Sequence, residues 1–359
     1  RAERPVLLAG GGVIDSDCCA EAVALAELLN MALVPSYGHN DAVPNSHPLY
    51  IGVTGKRGSG EVLEAINRAD VILALGSRLS QDTTGWDYSF MNPDSRIIQV
   101  DIDAQEIGRN YPIEVGIVGD AKAISEQLLE CLRAALPQGK SNPGWRAEIQ
   151  SLAAKRRARL DAEMSATGSP MMPQRVYPEL RKALPRDCMV SLDAGVAPGL
   201  AYERLNFELP RTFFNYSGQG GLGMGFCVGL GTKLGRPDRP AISIQGDGGF
   251  LYTSQELNTA VRKNIPLVSI VLNNNCHGAE KAQQQKNYDA RYIGVQLENP
   301  RFDKLAEVYG ARGFYVTSPD EIADTVKEAL ASNVPCVIEI PVAEYFPPPS
   351  PTPNPRSGH

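Results

Sequence analysis

The sequence predicts an α/β fold: two three-layer domains, each built on a parallel sheet. Three observations carry that expectation. Short apolar runs alternate with amphipathic segments of helical period along most of the chain. The strand-like runs are short and mostly apolar, as suits a parallel sheet covered on both faces. The 359 residues exceed what one core ordinarily holds, so the chain divides.

Taken in order, RPVLLAG (4–10) reads as a buried strand, and SDCCAEAVALAELLNM (16–31) as a helix capped near Ser16 or Asp17. ALVPS and a polar, Gly-rich loop follow, then a helix over 59–69 and strands at 70–77 and 96–103. VGIVGDAKAISEQLLECLRAAL closes a Rossmann-like first domain, 1–136. A linker, 137–164, opens with PQGKSNPG, rich in Pro and Gly, and continues as a charged helix over 145–163. The second domain, 165–345, repeats the rhythm. Strands are expected at 188–192, 241–245, 267–273 and 335–342, and helices at 173–184, 253–263 and 319–331. The tail, 346–359, is Pro-rich and cannot pack as a regular element.

Composition excludes several function classes. The formal charge of −6 gives no basic excess for nucleic acid. No apolar run approaches the ~18 residues of a membrane span, and there is no secretory signal. Seven cysteines, at 18, 19, 131, 188, 227, 276 and 336, form no CxxC pair. That pattern points to reduced thiols and a cytoplasmic setting. The chain begins at Arg1 without Met, which reads as a cut edge.

Two patterns in the first domain are weak. In AGGGVID (9–15), Gly10 and Gly12 fit G-x-G-x-x-G, but Asp15 stands at the third glycine; a tight strand-to-helix turn is the better reading. His39, Asp41 and His47 share a loop without a third metal partner in view, so a satisfied polar loop is preferred over a metal site.

The second domain carries stronger signals. NYSGQGGLGMGFCVGLGTKLG (215–235) embeds Met224 and Phe226 among glycines. Such a backbone lets a ligand, or a sheet, approach closely. In IQGDGGF, Asp247 lies between Gly246 and Gly248 at the carboxyl end of a strand, where open α/β sheets bind ligands. The next strand ends in Asn273-Asn274-Asn275. If the two strands are parallel neighbours, both ends emerge together. A carboxylate, a carboxamide oxygen and a backbone carbonyl form a hard oxygen set for Mg²⁺ or Ca²⁺, completed by diphosphate and water. The N–H groups of Gly248 and Gly249 suit phosphate.

Gly-Asp-Gly at 246–248, then 24 residues, then Asn-Asn at 273–274 resembles the thiamine-diphosphate motif. The whole chain resembles the acetolactate synthase-like family: its middle domain over 1–136, its diphosphate-binding domain over 165–345. YGHNDAVPNSHPL (37–49), RIIQVDID (96–103), VGIVGDAK (115–122) and GAEK (278–281) are most similar to the sulfoacetaldehyde acetyltransferase branch. The resemblance implies thiamine diphosphate and Mg²⁺ as cofactors. It implies Asp247, the Asn274 side chain and the Cys276 carbonyl as metal ligands. Gly248 and Gly249 hold the diphosphate by backbone, with Gly195, Val196 and Ala197 on its other side, and Gly246, His277 and Gly278 are implied as further cofactor-binding residues. Met224 wedges the thiamine, and the carbonyl of Leu222 or Gly223 accepts from the aminopyrimidine. FAD on the middle domain is left open, with no residue supporting it.

The activity so implied is cleavage or transfer at a carbonyl carbon of a small-molecule substrate, most like sulfoacetaldehyde plus phosphate to acetyl phosphate plus sulfite. The alternatives are 2-oxo-acid decarboxylation with carboligation, as in acetolactate synthase, and an inert scaffold. His277, Glu280 and Lys281, with Lys286 beyond, border the expected pocket. Lysines there would suit a sulfonate or a phosphate. Family members begin with a pyrimidine domain that supplies a glutamate matched nowhere in this chain. The resemblance therefore implies an inactive half-site alone, completed in a full-length homodimer or tetramer or by a separate pyrimidine-domain subunit.

Overall fold

A computed structural model describes residues 2–85, 87–215 and 220–347. The Pro-rich tail from 348 onward and residues 216–219 of the Gly-rich passage lie outside the described residues. The chain forms two compact units. Among the described residues, one comprises 2–159 and 206–211, the other 160–205 and 212–347. The change of unit falls inside the helix Pro143–Met164.

The first unit holds five strands: β1 (Pro5–Ala9), β2 (Ala32–Pro35), β3 (Val71–Leu75), β4 (Arg96–Asp101) and β5 (Val115–Val118). Their order is β2-β1-β3-β4-β5, all pairs parallel. Every residue of β1 is buried. Since successive side chains point to opposite faces, both faces of the sheet are covered. Trp145 donates from Nε1 to the Pro5 carbonyl (3.0 Å) and fixes the long helix at the start of β1.

The helix over 16–31 divides. A short helix, Gly11–Asp15, precedes Cys19–Leu29, and Asp17 between them has φ 54°. A left-handed residue interrupts helical hydrogen bonding, so Cys18 becomes the N-cap and neither Ser16 nor Asp17 caps. Asp17 pairs instead with Arg211. The helix Gly60–Arg68 begins as read, with the Ser59 side chain accepting from the Val62 N–H.

The second unit holds β6 (Met189–Leu192), β7 (Phe213–Phe214), β8 (Ala241–Gly246), β9 (Val268–Asn273), β10 (Arg312–Tyr315) and β11 (Cys336–Pro341). The order is β10-β11-β9-β8-β6-β7, again all parallel. The strands β8 and β9 are neighbours, with Gly246 beside Leu272, so both end at one edge of the sheet. The helix read over 253–263 becomes two, Asp247–Thr253 and Glu256–Arg262. Phe226, Phe250 and Phe302 stack edge to face at 5.5 and 5.6 Å, locking three helices into one core. Phe226 is thus core, while Met224, two residues earlier, is 39% exposed.

No helix among the described residues is long and apolar enough to cross a membrane. The seven cysteines are free thiols.

Candidate functional site

The site lies where β6, β8 and β9 of the second unit end. Asp247 opens the helix Asp247–Thr253 directly after β8 and is 2% exposed. Its carboxylate faces the backbone N–H groups of Gly248, Cys276 and Asn275, and Asn299 Nδ2 donates to its Oδ2 at 2.7 Å. The Gly-Asp-Gly turn and the Asn-Asn loop therefore meet in space. Burial pushes the Asp247 carboxyl above its ordinary value, and the surrounding N–H donors pull it back only in part. Among the described residues no cationic side chain pairs with it. A buried carboxylate solvated by neutral donors alone is short of positive charge.

The loop after β9 is built by asparagines. Asn273 Oδ1 accepts from the Asn275 N–H (3.1 Å), and Asn274 Oδ1 from the Cys276 N–H (3.2 Å). Asn275 takes φ 53°, a conformation asparagine tolerates. His277 caps the helix Gly278–Asn287, and its backbone N–H bonds to the Val295 carbonyl.

The glycines here make room. A Cβ at Gly248 would lie 2.6 Å from His277 Nδ1, and one at Gly249 2.0 Å from Asp193 Oδ2. A Cβ at Gly246 would meet nothing within 4 Å. Gly195, at φ 142°, turns the chain into the helix Val196–Gly199, which contains Val196 and Ala197. A Cβ at Gly278 would touch Val196, so the ends of β6 and β9 face one another.

Asp193 organises the Gly-rich loop. It is 1% exposed and accepts from the Gly223 N–H (3.0 Å) and the Gly225 N–H (3.1 Å). Burial raises its carboxyl too, against those N–H donors. The Gly223 carbonyl accepts from Thr253 Oγ1 (3.0 Å), whereas Leu222 is half-buried just before it. Met224 then starts the helix Met224–Gly235 with its side chain partly in the open.

Of the remaining candidates, Lys281 is paired with Glu344 (2.5 Å) and lies over the Tyr292 ring. Glu280 and Lys286 are exposed. In the first unit, Ser36 Oγ and His39 Nδ1 lie 2.9 Å apart in a hydrogen bond, and His47 lies 3.3 Å from Glu27. Among the described residues no group of three or more His, Cys, Asp and Glu side chains could hold a metal. The Asp247 site has one acid and depends on amide and carbonyl oxygens, a donor set that fits Mg²⁺.

Sequence reasoning missed Asp193 and Asn299. Asp193 follows an apolar strand just as Asp247 does, VSLDAG beside SIQGDGG, and that parallel could have found it. Asn299 stands 52 positions from Asp247 in an irregular segment without a local signal.

Comparison with known proteins agrees with this geometry. Residues 1–128 match the thiamine pyrophosphate enzyme central domain, and residues 193–340 the thiamine pyrophosphate enzyme C-terminal TPP binding domain. A sulfoacetaldehyde acetyltransferase of Castellaniella defragrans is 37% identical over 93% of this chain and 59% of its own length. A probable acetolactate synthase large subunit of Methanocaldococcus jannaschii is 35% identical over 96% of this chain and 59% of its own. The acetolactate synthase large subunit of Corynebacterium glutamicum is 34% identical over 96% of this chain and 55% of its own. The chain thus spans under two thirds of the length of these relatives. It belongs to the thiamine pyrophosphate enzymes, as their central and C-terminal domains.

Proposed function

We propose, with that membership as premise, that the protein carrying this chain is a thiamine-diphosphate and Mg²⁺-dependent enzyme that breaks or transfers a bond at a carbonyl carbon. One observation carries the reading. The buried, uncompensated carboxylate of Asp247 meets the Asn274–Cys276 loop at the shared edge of two parallel strands. In this reading Asp247, Asn274 Oδ1 and the Cys276 carbonyl hold the metal. Asn274 Oδ1 accepts from the Cys276 N–H and, as a carboxamide oxygen, has a second lone pair for the metal. Gly248 and Gly249 leave space for diphosphate, and Gly195, Val196 and Ala197 bound it opposite. Met224 presents an apolar flank to the thiazolium, and the carbonyl of Leu222 or Gly223 accepts from the aminopyrimidine. When bound, the cofactor would supply an electron sink at the substrate's carbonyl carbon, for the carbon–sulfur or carbon–carbon bond that breaks beside it. The chain's share is to bind and orient the cofactor and to hold Gly223 and Gly225 through Asp193.

The substrate assignment follows the relatives' names. Sulfoacetaldehyde with phosphate as acceptor is the first choice, and two molecules of a 2-oxo acid the second, since both kinds of relative stand near the same identity. A sulfonate or a phosphate near Lys281 has to compete with Glu344. Substrate tests on the full-length protein separate the two. Release of sulfite with acetyl phosphate supports the first, and acetolactate from pyruvate without sulfite supports the second. For the cofactor itself, the protein is melted with and without thiamine diphosphate and Mg²⁺. Equal melting curves would overturn the reading.

A further inference from the structure

Asp247 is held by more than its own turn. Asn299 Nδ2 donates both to Asp247 Oδ2 (2.7 Å) and to Asn273 Oδ1 (3.0 Å). Both partners are acceptors. A flipped amide would set oxygen against two oxygens, so the Asn299 amide has a single allowed orientation. Its Oδ1 is then turned away from both. That atom is buried and has no hydrogen-bond partner among the described residues. A buried acceptor without a donor is costly unless a ligand or ordered water completes it.

The far side of the chain of contacts is rigid. Asn273 Nδ2 donates to Glu339 Oε1 at 2.8 Å. Glu339, 2% exposed on β11, accepts at Oε2 from the Phe302 N–H at 2.7 Å and lies 3.6 Å from Arg301. The path Asp247–Asn299–Asn273–Glu339 thus links the strand ends of β8, β9 and β11 through side chains only. Each member has its orientation set by the next. A flexible carboxylate can serve a loosely coordinated cation such as Ca²⁺, whereas Mg²⁺ demands near-ideal octahedral geometry.

We infer that Asn299 is a positioning residue for the metal site: it holds the Asp247 carboxylate in one orientation. The inference rests on the metal–diphosphate reading above and deepens it. Partners of metal ligands commonly contribute about 10–100-fold in metal affinity.

The test uses Mn²⁺ as a paramagnetic probe, titrated into the full chain with thiamine diphosphate, and competition by Mg²⁺ and Ca²⁺. Asn299→Leu keeps the side chain's branching at Cγ, is somewhat larger, and removes both N–H donors together with the acceptor. It is expected to weaken Mn²⁺ binding about 10–100-fold. It should also narrow the preference for Mg²⁺ over Ca²⁺, while the metal-free protein still melts cooperatively but at a lower temperature, since Asp247 and Asn273 each lose a donor. Asn299→Ser, smaller and still polar, serves if the leucine variant does not fold, with the same direction expected. Wild-type affinity and wild-type metal preference in a folded variant would overturn the inference. The metal reading survives that result if Asp247→Ala abolishes Mn²⁺ binding. If wild type itself shows no Mn²⁺ binding, both fall together.

Discussion

Both units end a parallel strand in a glycine-rich turn, and the two turns do opposite things. In the first unit the sheet order reverses at β1 and β3, the point where an open α/β sheet has its crevice. There the backbone fills the space. The Gly10 N–H bonds to the Leu75 carbonyl and the Gly12 N–H to the Gly76 carbonyl. A Cβ at Gly10 would lie 2.1 Å from the Gly76 oxygen, and one at Gly11 2.6 Å from His39 Nε2. In the second unit the turn after β8 surrounds a buried carboxylate; Gly248 and Gly249 stand against the side chains of His277 and Asp193, and Gly246 against nothing within 4 Å. A glycine-rich turn is therefore no sign of a site. What marks the second turn is the buried carboxylate beside it, hydrogen-bonded but without a cationic partner among the described residues.

The largest effect expected from this contrast is at Gly10. Gly10→Ala drives a methyl into backbone, which cannot yield, and should cost more than about 4 kcal/mol or prevent folding. Denaturant melting checks it, and a cost below about 1 kcal/mol would show that the packing of the two turns is not what selects glycine. Asp247→Ala should leave the fold and remove the stabilisation by thiamine diphosphate and Mg²⁺, which amounts to ~2.7 kcal/mol at 100 times Kd. An unchanged cofactor affinity would erase the distinction between the two turns. Gly249→Ala presses on Asp193 Oδ2, a side-chain atom, and so should cost only about 1–3 kcal/mol, the size of a charged hydrogen bond lost. It should weaken cofactor binding as well, because the Gly223–Gly225 loop loses its anchor.

The smallest expected effect is a pH dependence of the first unit. Burial holds His39 below its ordinary value, outweighing the opposite pull of Asp15. The folded ring stays neutral where the unfolded one would charge. Its contribution is therefore complete above the unfolded value of about 6.5 and is lost as pH falls below it. Relative to His39→Gln, wild type should lose stability between pH 7 and 5. Parallel melting curves of the two proteins over that range would show that the ring is not held neutral.

Much of the fold was legible. Short, mostly apolar runs placed β1, β3, β4, β6, β8, β9 and β11, and buried positions predominate in all of them but β4, where half are buried. The helix Pro319–Ala331 matched its reading, with Ser318 at the cap and Pro319 just inside. What escaped was short or only partly buried: β7 has two residues, and β10, RGFY, is fully buried at none of its positions. The break at Asp17 escaped too, since helical periodicity runs through it and only the backbone angle interrupts it.

Residue order alone showed a Gly-Asp-Gly turn and an Asn-Asn turn, each ending an apolar strand, that would meet if the two strands were parallel neighbours. It could not say which other groups share that edge. Asp193 arrives because β6 lies beside β8, and Glu339 because β11 lies beside β9. Asn299 joins them from an irregular segment. Those neighbours depend on strand order and register, which hydrogen bonding and packing across the whole sheet decide. A pattern of a few adjacent residues carries no record of either.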